Sequence, residues 1–474
     1  MQGDWLLMRA AEHLARFVTD LDFAAIPTRA RDYAKLSLLD TLGIALAGYH
    51  EPSTHAARCL ALQHGGDPQA TLLVHGRKVP APQAALVNGT ASFSHNFTDT
   101  TLSCVIHGGP VIIPAALAMG EITGASGADV LTAIVAGYEV MTRVGNAINA
   151  GSARMSHHRK GYHPTGTCGV FGAAAVAAKL LGLSAETTCH SLGIAGSFAA
   201  GLSESLIDGT DTWRAHGGFA AQNGITSTLL AREGLTGPTG VFDGQRGFCT
   251  AFTDGHYDAS ALERHRDDAL LILDTAFKLH NTAHVWALPL DALAALRQQH
   301  HFTVADVDEM IVTFPQTWTA IMDDPSGATY APVSYAQATN NLRYCLAAGL
   351  HDGKVYVEQF DDVHLHNAAI LETAKRVTPR PDADLGRIFE TSDKATTHLE
   401  VILKSGTHYQ LQVDYPRGSP QNPATAAELE AKFDALSASV LPSEQLTRLK
   451  ARLFTLEDEA NLDAIMTCTM SSGH

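Results

Sequence analysis

Through its first half the chain alternates apolar, small-residue stretches with Gly and Pro punctuation, and each stretch has the length and spacing of a helix. "IPTRARDYAKLSLLDTLGIALAG" places Pro27 at a helix start and Gly48 at its end, with Leu36, Leu39, Ile44 and Leu46 among the apolar positions. "PQAALVNGTASFSHNF", "PVIIPAALAMGEITG" and "GADVLTAIVAGYEVMTRVGNAI" repeat the pattern, and their Gly and Ala residues permit helices to approach closely. The most apolar runs, Val130–Val140 and Gly169–Leu181, read as buried core helices. Neither reaches the roughly 18–20 uninterrupted apolar residues of a membrane span. No fixed-period repeat is present, which argues against a solenoid.

After about residue 270 the period shortens. A helix over Leu288–Gln299 is followed by the strand candidate "VDEMIVTFPQ". "HLEVILKSGTHYQLQVDYP" then reads as a hairpin: Leu399, Val401 and Leu403 alternate, Ser405-Gly406 turns, and Tyr409, Leu411 and Val413 alternate back. "TAAELEAKFDAL" and "PSEQLTRLKARLFTLED" return to amphipathic helix. The expected fold is mainly α: a large all-α domain over 1–270, a smaller α+β domain over 271–415, and C-terminal helices over 416–474 that return to the first domain. At 474 residues, more than one core is the first expectation in any case.

Composition narrows the function. A formal net charge of -16 argues against nucleic acid as a partner, because phosphate binding needs a basic surface. The opening "MQGDWLLMRAAEHLARFVTDLDF", with Asp4 and Glu12, reads as helix rather than signal, so a cytoplasmic protein without a membrane anchor is expected. Its seven cysteines are scattered and form no CxxC pair, which fits reduced buried thiols rather than disulfides, a structural zinc site or an iron–sulfur cluster. GxGxxG, the P-loop, GxSxG and HExxH are all missing. Against this acidic background "HHRKGYH" sets His157, His158, Arg159, Lys160 and His163 in one heptapeptide, just before an apolar helix. Its histidine spacing contains neither HxH nor Hx3H, so nothing there calls for a metal. Either His157 and His158 belong to a solvated loop, or they join His163 in acid–base chemistry.

Five blocks, "LSLLDTLGIALAG", "NGTASFSHNFTDT", "GYHPTGTCGVFGAAAVAAKLLGL", "GLTGPTGVFDGQRGF" and "YPRGSPQNPATAAELEAKF", resemble in order the MmgE/PrpD family of 2-methylcitrate dehydratase, cis-aconitate decarboxylase and iminodisuccinate epimerase. The resemblance runs from about residue 12 to 460. It implies a helical domain with an α+β lid domain, a homodimer, and an active site between the domains that uses no cofactor. It also implies small di- or tricarboxylate substrates and chemistry at the carbon beside a carboxylate. Such chemistry moves a proton on or off carbon while negative charge develops next to it, so it needs acid–base groups near neutrality and donors aimed at carboxylates.

Carried over block by block, the resemblance makes His163, of the GxHPT motif, and His107 the acid–base pair, with Thr100 beside them. Asn96 stands where the family has an aspartate; it can hydrogen-bond but cannot act as a charged base. Asp99 either compensates or caps a helix. In "DTWRAHGG" the family's lysine is replaced by Trp213, followed by Arg214 and His216 as substrate contacts. Arg214 can bind a carboxylate bidentately but cannot serve as an acid near neutrality, whereas His216 can shuttle protons. Lys160, by proximity, and Lys278 and His284, from "FKLHNTAHVWALPLDAL", complete the carboxylate-binding candidates. Without the family's lysine and aspartate, epimerisation, or dehydration of a different and less anionic substrate, is favoured over methylcitrate dehydration and aconitate decarboxylation. A non-catalytic metabolite-binding protein is the remaining alternative.

Overall fold

The computed structural model describes residues 8–149, 156–263, 269–322, 329–392 and 394–471. Asp4 of the expected opening helix lies outside them; the described part of that helix runs from Ala10 to Asp20. The fold is mainly α, with small sheets. It divides into two compact units, one formed by Met1–Ser205, Asp211–Thr275 and Ala426–His474, the other by Leu206–Thr210 and Ala276–Thr425.

The first unit is built on helices α1 (Thr28–Ala47), α2 (Ala81–Ser92), α3 (Gly109–Thr123), α4 (Gly127–Ile148), α5 (Pro164–Leu180), α6 (His216–Arg232) and α7 (Ala426–Ser437). Helices α3, α4 and α5 are mostly apolar and buried nearly all round, and the two charges α4 buries, Glu139 and Arg143, pair with each other at 2.8 Å. Glycine makes this density possible. A Cβ at Gly172 of α5 would lie 2.7 Å from Ile112 and 2.8 Å from Met141, and one at Gly224 of α6 would lie 2.5 Å from the Ala173 Cβ. The helix expected to run through "SFSHNF" stops at Ser92. Beyond it the Ser94 carbonyl accepts a hydrogen bond at 2.5 Å from Arg214, a partner distant in the chain, instead of continuing the ladder.

The C-terminal helix α7 belongs to this unit. Its Lys432 is 1% exposed and sits 2.6 Å from Asp40 of α1, donates to the Phe97 carbonyl at 2.8 Å, and lies 4.0 Å over the Phe97 ring.

In the second unit β1 (Val307–Pro315), β2 (Val377–Asp382), β3 (Thr397–Leu403) and β4 (His408–Val413) form a sheet in the order β2-β1-β3-β4. Strands β1 and β2 are parallel, and the other pairs antiparallel. The expected hairpin is β3–β4, with Leu399 opposite Leu411 and Val401 opposite Tyr409. Gly406 takes φ +84° in its turn, which a residue without Cβ adopts at little cost. A helix over Ala287–His300 and the buried faces of β1 and β3 share a core around Trp286, Phe314 and Trp318. No described helix is long and apolar enough to cross a membrane.

Candidate active site

Three histidines of the first unit stand at the starts of three packed helices. His107 precedes α3 by two residues, His163 is the N-cap of α5, and His216 is the first residue of α6. Helix starts present unpaired N–H groups and positive partial charge, so their convergence favours an anion and disfavours a protonated ring. Phe93 lies among them: its ring stacks on His163 at 5.7 Å, tilts against His107 at 5.4 Å, and meets Trp213 edge-on at 5.4 Å.

His107 is delivered by a tight hairpin. Thr101 donates its N–H to the Ile106 carbonyl at 2.8 Å, and Val105 donates back to Thr101 at 2.8 Å. Val105 adopts φ +54°, a conformation that costs a β-branched residue about 1–3 kcal/mol and that the hairpin imposes. The His107 Nδ1 lies 2.6 Å from the Asp99 carbonyl, and the hydroxyls of Thr100 and Thr98 lie 3.2 and 3.3 Å from it. A carbonyl only accepts, so Nδ1 carries the proton and Nε2 is the basic nitrogen. The backbone of His107 donates to Thr165 Oγ1 at 3.1 Å, tying this loop to the first turn of α5.

Asp99 accepts from the Gly109 N–H at 2.9 Å through one oxygen and from the Tyr138 hydroxyl at 2.7 Å through the other. It therefore caps the start of α3. Burial raises its pKa to about 6, against the lowering effect of those two donors.

His163 and His216 face each other, with Nδ1 atoms 2.8 Å apart and ring centroids 5.0 Å apart. Both are about 5% exposed. Burial pushes His163 well below the usual histidine range, and His216, His158, His107 and His157 add to the effect. Burial alone brings His216 down to about 4. Both rings are neutral at pH 7.

Residues 156–159 form a helical turn, which corrects the solvated-loop reading of His157 and His158. His157 is buried, with Nε2 2.9 Å from Thr167 Oγ1; burial, His158 and Lys160 lower it to about 3. His158 is half-buried, 6.1 Å from the His163 ring, and lowered by burial to about 4.

The remaining candidates have surroundings of their own. Trp213 is 6% exposed, and its indole Nε1 has no hydrogen-bond partner among the described residues. Arg214 is buried beneath it, with Glu51 and Asp211 each at 3.1 Å and the Ser94 carbonyl at 2.5 Å, so its guanidinium holds loops together. Asn96 is half-buried, in the loop that joins α2 to α3. Lys160 is exposed and paired with Asp254 at 2.5 Å rather than gathered with the rings. Lys278 and His284 lie in the second unit. Lys278 is buried, and burial together with its charge brings His284 to about 3. Both ring nitrogens of His284 are buried without a hydrogen-bond partner among the described residues. Sequence reasoning missed Phe93, Thr98, Thr165 and Tyr138. Only Phe93, an aromatic ring amid "TASFSHN", carries a signal that could have drawn attention to it.

A buried, mainly helical fold with histidines at converging helix starts fits the family whose models match both parts of the chain. The MmgE/PrpD N-terminal domain matches residues 12–260 and the MmgE/PrpD C-terminal domain matches residues 281–454. The chain belongs to the MmgE/PrpD family. It is 27% identical over 469 residues to a cis-aconitate decarboxylase-like protein of Aspergillus oryzae, covering 96% of this chain and 95% of that one. Human cis-aconitate decarboxylase is 27% identical over 478 residues, covering 98% and 95%. The enzyme of that name from Aspergillus terreus is 23% identical over 478 residues, covering 97% and 96%.

Proposed function

We propose that this protein is a carboxy-lyase that removes CO2 from a small unsaturated polycarboxylate of the cis-aconitate kind, without a cofactor. The observation that carries this reading is the gathering of three histidines, His107, His163 and His216, at three converging helix starts. Full-length similarity to cis-aconitate decarboxylases supports the substrate class and shifts the balance away from dehydration and epimerisation.

Decarboxylation breaks a C–C bond and leaves an electron pair on carbon, which a proton must quench. A neutral imidazole is too weak an acid for this step. A substrate carrying two or three carboxylates supplies the missing potential: its charge raises the histidine pKa on binding, and the site takes up a proton with its ligand. His163, as imidazolium, then protonates carbon as CO2 departs, and solvent restores the proton. His107 takes up a proton at Nε2 and donates it in a hydrogen bond to a carboxylate, while Asp99 and Thr100 hold its other nitrogen. The helix starts stabilise charge that develops in the transition state.

The test is proton NMR of the purified protein in D2O with cis-aconitate, 2-methylcitrate, iminodisuccinate, malate and citraconate. Released CO2 with one deuteron on the product carbon is the expected result. Gain or loss of water without CO2 would make the protein a hydro-lyase, and exchange without net reaction an epimerase. Silence across the panel would overturn the proposal. His163→Gln is expected to lower kcat by about 10²- to 10⁴-fold, the usual contribution of a general acid.

A further inference from the structure

The contact between His163 and His216 contains more information than two histidines in one pocket. Their Nδ1 atoms are 2.8 Å apart in a buried setting. Two lone pairs at that distance repel, and two N–H groups clash, so one Nδ1 carries a proton and the other does not. Each ring therefore dictates the tautomer of the other.

The surrounding backbone holds this pairing in register. The His163 N–H donates to the Gly201 carbonyl at 3.0 Å, and a Cβ on Gly201 would lie 3.4 Å from the His163 carbonyl oxygen and 3.5 Å from the His216 Nδ1. Gly217 and Gly218 follow His216 directly. A Cβ on Gly217 would lie 2.8 Å from Pro110, and one on Gly218 would lie 2.3 Å from the Leu86 carbonyl. Missing side chains thus press the start of α6 onto α2 and α3 and leave the His216 backbone no room to withdraw.

We infer that His216 is a positioning residue that accepts the Nδ1–H of His163 and so makes Nε2 the working nitrogen of that ring. This rests on the reading of His163 as the acid. When Nε2 gains a proton, the ring becomes an imidazolium that keeps donating from Nδ1 to His216, and no proton has to be rearranged. His216 then holds its own proton on Nε2 and shares the positive charge through a charge-assisted hydrogen bond. His107, His157 and His158 are also near His163, and the 2.8 Å contact is the one made by His216.

Two substitutions at His216 separate positioning from packing. His216→Phe keeps a flat ring and loses the acceptor; His216→Asn places an amide oxygen close to the position of Nδ1. The Phe variant is expected to lose about 10²-fold in kcat, to keep KM within about threefold, and to move the acid limb of its pH–rate profile; the Asn variant is expected to recover to within about tenfold of the parent. Nitrogen-15 NMR of histidine-labelled, ligand-free protein reads the tautomer directly, with parent His163 as Nδ1–H and a tautomer mixture in the Phe variant. An unchanged kcat in the Phe variant, a KM effect alone, or a parent His163 protonated only at Nε2 would overturn the inference. If His163→Gln retains turnover, the assignment of the acid fails instead, whatever the His216 variants do. Should the Phe variant not fold, the parent spectrum and the Asn variant still decide.

Discussion

At the scale of the residue, environment rather than residue type sets the chemistry. A histidine in water is half-protonated near pH 6.5, yet burial takes His216 and His158 to about 4 and His157 to about 3. The three histidines of "HHRKGYH" are therefore neutral until an anion arrives. Calorimetry of cis-aconitate binding at pH 8, in buffers of different ionisation enthalpy, is expected to show uptake of about one proton or more per site. Binding without uptake would remove His163 from the acid's role. Trp213 poses a second question at this scale, because its buried indole N–H has no partner among the described residues. Trp213→Phe is expected to leave Tm nearly unchanged while raising KM about 5- to 10-fold, the worth of one neutral hydrogen bond to a substrate oxygen. An unchanged KM would assign the ring to water exclusion alone.

At the scale of the element, the site depends on helices far apart in the chain. Helix α7 reaches α1 through the Lys432–Asp40 pair, and Lys432 also bonds the Phe97 carbonyl, two residues before Asp99. Asp99 in turn caps α3 and presents the carbonyl that orients His107. Lys432→Met removes the buried cation 2.6 Å from the Asp40 carboxylate and is expected to cost about 3–5 kcal/mol in denaturant unfolding. Adding Asp40→Asn removes the carboxylate charge as well and should recover most of the loss; if the double variant is as unstable as the single, the pair is not the source. Much of this level was legible in advance. Helix periods, Gly and Pro breaks, and the β3–β4 hairpin are local signals, and they marked the elements well. The end of α2 at Ser92 was not legible, because Arg214, 120 residues away, captures the carbonyl that would have extended it.

At the scale of the whole molecule, buried neutral histidines make stability depend on pH. Their folded pKa values lie below 6.5, so between about pH 4 and 6.5 the unfolded chain binds protons that the folded chain refuses. The stabilisation is complete above pH 6.5 and falls on acidification, by about 1.4 kcal/mol per pH unit for each such ring. His95, pushed to about 3 by burial and Arg214, adds to His157, His158, His163 and His216 in the first unit. Asp99 acts in the opposite sense: raised to about 6 from 3.8, it favours the folded state as pH falls through that window, and offsets one ring. Thermal melts are expected to show Tm nearly level from pH 7.5 to about 6.5 and falling steeply from there to pH 5. A flat profile would mean that the rings are already charged in the folded protein.

What the sequence by itself determined is the inventory: mainly helical elements, a small α+β portion, the MmgE/PrpD blocks, and the residues able to move protons beside a carboxylate. These follow from periodicity, from Gly and Pro, and from residue types at short spacing, all of which act locally. The tertiary structure alone decided which candidates gather, which carry charge, and which only support. It set Lys160 on Asp254 at the surface, made Asp99 a helix cap, and closed Arg214 into a loop anchor. It also joined His163 to His216 across 53 positions of chain. Burial and long-range pairing govern those outcomes, and both are properties of the packed molecule that no short stretch of sequence contains.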